Sequence, residues 1–239
     1  MIRVDRLTKK YKKKTAVHEL SFEAKKGTVF ALLGANGAGK STTIKCILGI
    51  AGKYEGNITV GESSHVDGKD QHARKAHIGY SPETPYFPPY LTGLEVLTYY
   101  GKLQGLHGTT IRAESMELLN IVGLNDTKEA VRHYSKGMLQ RLALAQALLG
   151  NPDILILDEP CAGLDAAGRI EMVELIRTLK QQGKTILMNS HVLSDIEKVC
   201  DEGIIMQNGK LVRQFTADDL AGSKTLEELF IETIRKKEL

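Results

Sequence analysis

Residues Gly34-Ala35-Asn36-Gly37-Ala38-Gly39-Lys40-Ser41 follow the pattern G-x-x-x-x-G-K-[ST]. Each residue type in it serves phosphate chemistry. Glycines let backbone N–H groups close around phosphate oxygens with no Cβ in the way. A helix opening directly after the loop adds unpaired N–H groups and the positive end of its dipole. Lys40 is placed to reach a β- or γ-phosphate, and the Ser41 hydroxyl can ligate Mg²⁺. Thr42 offers one more hydroxyl. The pattern implies a nucleotide held through Asn36, Gly37, Ala38, Gly39, Lys40, Ser41 and Thr42.

A second group of residues lies about one domain-length downstream. The apolar run Ile154-Leu155-Ile156-Leu157 delivers two adjacent carboxylates, Asp158 and Glu159. Open α/β sheets bind ligands at the C-terminal ends of their strands, which is where these acids fall. Asp158 suits the shell of a Mg²⁺ ion, and Glu159 can orient and deprotonate a water for attack on a γ-phosphate. His191 follows another apolar run, Thr185–Ser190, and is placed to hydrogen-bond the γ-phosphate and that water.

These residues need elements to hold them. Val29 to Leu33 is a continuous apolar run that suits a strand buried on both faces, directly ahead of the glycine loop. Ile44, Ile47 and Leu48 fall at helical spacing after it, and Gly49 stands where that helix can stop. Ile2 and Val4, then Leu20, Phe22 and Ala24, alternate with polar residues as strands do. Asn57–Val60 and His77–Tyr80 are further strand candidates. The prolines of 84–90 exclude regular helix, after which Thr92-Gly93-Leu94-Glu95 reads as a capping box opening a helix to about Leu103. Residues 111–122 give another helical pattern. A long helix opens near Ser135 and ends near Gly150, with Met138, Leu142 and Ala145 on one face. Ile170, Val173, Ile176 and Leu179 mark a helix that Gly183 can terminate. Gly203–Met206, Asn208-Gly209 and Lys210–Val212 read as a hairpin. The tail carries Leu226, Leu229, Phe230 and Ile234 at helical offsets, a stripe expected to pack on the core. The alternation of strands and helices gives an α/β fold.

The chain has 239 residues, 42% of them hydrophobic, and a net charge of +3. That suits one α/β domain of about 1–239 with a helical portion near 84–150 and a tail near 215–239. No apolar stretch is long enough to span a bilayer, and Met1-Ile2-Arg3-Val4-Asp5 has no signal-peptide core, so a cytoplasmic protein is expected. Cys46, Cys161 and Cys200 form neither a zinc spacing nor a disulfide framework, and Cys46 and Cys200 read as buried thiols. Lys9, Lys10, Lys12, Lys13 and Lys14 surround Tyr11; with one aromatic in so short a run, the cluster reads as a solvated turn rather than a nucleic-acid surface.

In the order of these features the chain resembles the nucleotide-binding subunits of ATP-binding cassette (ABC) transporters over nearly its whole length. The resemblance implies a P-loop ATPase core with a mostly parallel sheet, an N-terminal antiparallel β subdomain and an α-helical signature subdomain. It implies ATP and Mg²⁺ as ligands, with Tyr11 stacked on the adenine, Val17 flanking it, and Ser41, Glu83 and Asp158 around the metal. Glu159 becomes the catalytic base and His191 the switch histidine. Ser135 and Gly137 form the signature that meets the partner's nucleotide, and Asp165 belongs to the D-loop. Two cassettes, expected to be two copies of this chain, would pack head to tail around two ATP molecules and drive a separate transmembrane permease. The cassette would sit at the cytoplasmic face of the membrane, with no nucleic acid involved.

Two positions depart from the family pattern. Tyr134-Ser135-Lys136-Gly137-Met138 stands where Leu-Ser-Gly-Gly-Gln is usual, and Glu83 stands where glutamine is usual. Both, with the tail Thr225–Phe230, resemble bacterial cassettes of the drug, sodium and polysaccharide export type. The alternative within the family is a soluble ABC ATPase acting as a switch. Such proteins commonly carry two cassettes, a coiled-coil arm or zinc insertions, and this chain has one cassette with no heptad arm and no zinc cysteines.

Overall fold

The computed structural model describes residues 1–12, 14–61, 63–66, 78–125, 128–220 and 225–235. Lys13 of the basic cluster and His77 of the His77–Tyr80 strand candidate lie outside the described residues, as do 126–127 of the helical portion and 221–224 and 236–239 of the tail.

Two sheets organise the molecule. Strands β1 (Ile2–Tyr11), β2 (Lys14–Ala24), β4 (Glu55–Val60) and β5 (Ser63–Val66) form an antiparallel sheet in the order β2-β1-β4-β5. Strands β3 (Val29–Gly34), β6 (Ile78–Ser81), β7 (Ile154–Asp158), β8 (Thr185–Asn189), β9 (Glu202–Gln207) and β10 (Lys210–Thr216) form the second, ordered β10-β9-β3-β8-β7-β6. Every pairing from β9 to β6 is parallel, and only the β9–β10 hairpin is antiparallel. Its turn needs two residues in the left-handed region, supplied by Asn208 (φ 51°) and Gly209 (φ 77°).

Successive side chains of a strand point to opposite faces, and here both faces are covered. Phe30 and Leu32 of β3 join a core with Ile2, Leu7 and Leu20 of the antiparallel sheet and with Ile44 and Ile47 of helix α1 (Lys40–Ile47). Val29, Ala31 and Leu33 enter the opposite core, shared with the helical portion. That portion contains α2 (Gly93–Leu103), α3 (Gly108–Ile121), a 3₁₀ turn at Val131–His133 and α4 (Lys136–Leu148). The capping box of α2 is closed: Glu95 N–H donates to Thr92 Oγ1, while Thr92 N–H donates to Glu95 Oε2 at 2.8 Å. Helix α4 crosses β6 so closely that a Cβ on Gly79 would fall 1.9 Å from the Ala147 carbonyl oxygen.

Helices α5 (Ala166–Gln181) and α6 (Leu193–Glu197) follow β7 and β8; α7 (Ala217–Leu220) and α8 (Leu226–Arg235) end the chain. The tail packs on the core, with Leu226 and Leu229 fully buried and Phe230 and Ile234 partly so. All three cysteines are buried, and none is in a disulfide.

The helix marked by Ile170, Val173, Ile176 and Leu179 forms as α5, with Met172, Val173, Ile176 and Leu179 on its buried face and Ile170 59% exposed. Steps of three residues drift by roughly 60° each on a helix, so four such positions fan across about half its circumference and cannot all face the core. One sequence expectation needs correction: the lysine cluster is not wholly solvated. Lys9 is buried, and its ammonium donates to the carbonyls of Ala51 (2.5 Å) and Lys53 (2.7 Å), which satisfy the charge and tie down the loop after α1.

Candidate functional site

The glycine loop leaves β3 and enters α1 with Gly39 at the N-cap, φ 106°, and no side chain capping the helix. A Cβ there would sit 2.7 Å from the Ala16 carbonyl, so this position requires glycine twice over. The free N–H groups of the first turn remain directed at the loop. Beside it lies a cleft of 470 Å³ lined by residues 36–42 together with Tyr11, Lys14, Thr15, Ala16 and Asn208. Tyr11 is 45% exposed and stands at its edge, where a flat base could stack. Val17 is placed otherwise: its side chain is fully buried in the core beneath Gly39, and its neighbour Ala16 lines the cleft.

The Lys40 ammonium donates to the carbonyls of Gly34 (2.6 Å) and Ala35 (3.3 Å). Burial pushes its pKa down, while the charges of Glu159, Asp158 and Glu83 push it up. The three acids therefore share one electrostatic field with the phosphate-loop lysine.

Asp158 ends β7 at 6% exposure, and its Oδ1 is buried with no hydrogen-bond partner. Burial raises its pKa and Glu83 adds to the rise, against a side-chain hydrogen bond from Asn189 and the charge of Lys40. The same environment pushes the Tyr80 phenol up to about 12, chiefly by burial and then by Asp158. An orphaned carboxylate oxygen in an acidic pocket fits a hard dication. Ser41, on the cleft wall, and Glu83 offer the further oxygens, so the residues present fit Mg²⁺.

Glu159 takes φ 53°, a left-handed conformation rare for a residue with a side chain. It is held there from both sides. Its N–H donates to Asn189 Oδ1 (3.0 Å) and to the Asn189 carbonyl (3.2 Å), and its own carbonyl accepts from Gln140 Nε2 (3.3 Å). Its carboxylate meets His191: Oε2 accepts the His191 N–H at 3.2 Å and lies 2.7 Å from Nδ1. The glutamate is buried and the imidazole side chain 74% exposed, so the pair presents a base backed by protein and a ring facing outward.

Ser135 caps α4, its Oγ accepting from Met138 N–H at 3.1 Å. Asp165 caps α5 in the same way, accepting from Gly168 N–H at 2.8 Å. The two helix starts abut, since a Cβ on Gly137 would lie 3.0 Å from Leu164 and one on Gly163 would lie 2.9 Å from Lys136. Ser135, Gly137 and Asp165 are absent from the lining of this chain's own phosphate cleft. Sequence reasoning did not find Thr15, Ala16, Asn208, Gln140 or Asn189; Asn189, a buried amide ending an apolar strand, was the one with a legible signal.

The protein-family model described as ABC transporter matches residues 17–162. An uncharacterized ABC transporter ATP-binding protein of Nostoc sp. (strain PCC 7120) is 44% identical over 202 residues, 83% of this chain. The aligned chain spans 59% of that relative's length. The linearmycin resistance ATP-binding protein LnrL of Bacillus subtilis (strain 168) is 37% identical over 240 residues, covering 99% of this chain and 76% of LnrL. A solved structure of the ATP binding subunit of an ABC transporter superposes with a TM-score of 0.87 at 30% identity, covering 98% of this chain and 99% of that one.

Proposed function

This chain belongs to the ABC transporter family, and we propose that it is the ATP-binding, ATP-hydrolysing subunit of a membrane exporter, driven by head-to-tail pairing of two copies. The observation that carries the reading is the Glu159–His191 pair, set beside the glycine loop and the orphaned Asp158 oxygen.

The triphosphate would lie over the N–H groups of the loop and α1, with the Lys40 ammonium turning from Gly34 and Ala35 to the β- and γ-phosphates. Mg²⁺, held by Ser41, Asp158 and Glu83, would neutralise charge on the phosphate oxygens. Glu159 accepts the proton of the attacking water, and its backbone anchors at Asn189 and Gln140 keep the carboxylate from swinging away. With Nδ1 engaged on Glu159, the outer nitrogen of His191 is left to donate to the γ-phosphate when the ring is protonated.

The second copy follows from the split geometry. Ser135 and the helix start it caps suit a γ-phosphate, yet they line no part of the cleft in their own chain. A two-fold dimer supplies each pocket with the missing half. The permease would dock where Tyr86 (84% exposed), Tyr90 (77%) and Leu103 (66%) stand clear of the core, beside a cleft of 620 Å³ bordered by Pro82, Leu103 and Leu106. Among the described residues no helix is long and apolar enough to cross a membrane. Attachment at the cytoplasmic face would therefore run through the permease. Export as the direction is supported by the resistance role printed for LnrL.

The test is phosphate release from Mg·ATP by the purified chain, alone and with the membrane protein it co-purifies with from detergent-solubilised membranes. Absence of turnover in both states would sink the proposal.

A further inference from the structure

Asp195 is a carboxylate at 3% exposure that none of the steps above uses. It lies in α6, four residues after His191. Its Oδ2 accepts from Arg169 Nε at 2.9 Å and forms an ion pair with Arg169 Nη2, also at 2.9 Å. Arg169 stands in the first turn of α5, four residues after Asp165, its N–H donating to the Asp165 carbonyl at 2.9 Å. The Cys161 thiol, two residues after Glu159, lies against Asp195; burial, and then that carboxylate, push it up to about 12. Three segments that each carry a site residue thus converge on one buried acid.

We infer that Asp195 and Arg169 form a positioning bracket that holds the Glu159–His191 pair in register with the Asp165 loop. The inference rests on the proposed hydrolase function. Stability alone is a poor account of the pair, because a buried ion pair is often no more stabilising than apolar residues of the same volume. Position is a better one. The His191 ring is largely exposed, and apart from Glu159 what locates it is its own backbone. That backbone leads within two residues into α6, a helix of only five residues. A shift of α6 therefore passes directly to the His191 N–H and Nδ1, both of which bond Glu159 Oε2. Arg169 fixes α6 with a hydrogen bond and an ion pair on one oxygen, and the same guanidinium sits on the helix that Asp165 opens. A movement of the Asp165 loop when a second copy docks against it would reach the hydrolytic pair by this route.

The test uses the full chain with Arg169→Lys, which keeps the charge and loses the forked donor, and Asp195→Asn. Steady-state ATPase assays should show kcat falling about tenfold or more while KM for ATP stays within about twofold, because misplacing a reacting group costs rate and the phosphate loop is untouched. Tm should move little for Arg169→Lys, and Arg169→Lys with Asp195→Glu should recover much of kcat. A folded Arg169→Lys with wild-type kcat overturns the inference. So does a loss of rate that only follows the fraction unfolded. If the unsubstituted chain hydrolyses no ATP, either alone or with its co-purifying membrane protein, the proposed function fails instead, and amide exchange then decides the bracket. Faster exchange at 191–195 in Arg169→Lys, with 185–189 still protected, supports it, and unchanged exchange refutes it.

Discussion

At the residue scale the decisive asymmetry lies between the two adjacent acids. Asp158 is buried with an unpartnered oxygen and a raised pKa, whereas Glu159 spends its carboxylate on His191. Glu159→Gln should therefore retain Mg·ATP and lose about 100-fold or more in kcat, read as phosphate release against nucleotide affinity; wild-type turnover would remove Glu159 from its role. For Asp158 the sign of the pH effect follows from the raised pKa. Its folded form resists ionisation, so the stability it contributes is complete below the ordinary carboxylate range and is lost as pH rises through the elevated value. Tm of the metal-free chain should fall across that window, and Asp158→Asn should flatten the fall. Mg²⁺ added to the wild type should raise Tm again at neutral pH, adding about 2.7 kcal/mol of stability at a concentration of 100 times its Kd, and should do so much less for Asp158→Asn. Equal restoration in both proteins would place the metal elsewhere. Phosphate and carboxylate chemistry was legible in the sequence because it demands fixed residue types at short spacing. Asn189 and Gln140 act on Glu159 from 30 and 19 residues away, contacts that only the sheet register and the path of α4 create.

At the element scale the site hangs on helix starts. Gly39, Ser135 and Asp165 open α1, α4 and α5, the first with no side-chain cap and the other two capped by their own side chains. Ser135→Ala removes the acceptor for Met138 N–H and should cost about 1 kcal/mol, or roughly 2–4 °C in Tm for a chain of this size. Ser135→Asp keeps a good cap, so Tm should hold, but it sets a negative charge where the proposed dimer brings the partner's γ-phosphate. ATP-driven dimerisation, followed by light scattering in the Glu159→Gln background, should then vanish. A dimer that survives Ser135→Asp would separate the α4 start from the nucleotide. The elements themselves were readable where pattern and caps agreed, as in the Thr92–Glu95 box and the Asn208-Gly209 turn. Reading failed at Lys9, where charge alone was used and the neighbouring chain decided which way the side chain faced.

At the scale of the whole molecule, the proposed engine gives each chain two half-sites on separate surfaces, and this makes a mixing experiment decisive. Lys40→Ala spoils the phosphate loop and leaves the α4 start intact; Ser135→Asp does the reverse. Each variant alone should be inactive, because both pockets of its symmetric dimer contain one damaged half. Mixed in equal amounts, half of the dimers pair one variant with the other. In these, one pocket joins two damaged halves and the other joins two intact ones. ATPase activity should therefore return to about a quarter of the wild-type rate per chain if the pockets work independently. It should also rise faster than linearly with total protein wherever the chains are mostly monomeric. Chains that each completed their own pocket could not rescue one another at any ratio, so a mixture as silent as its components would overturn the shared-pocket engine while leaving the fold and the Glu159–His191 pair untouched.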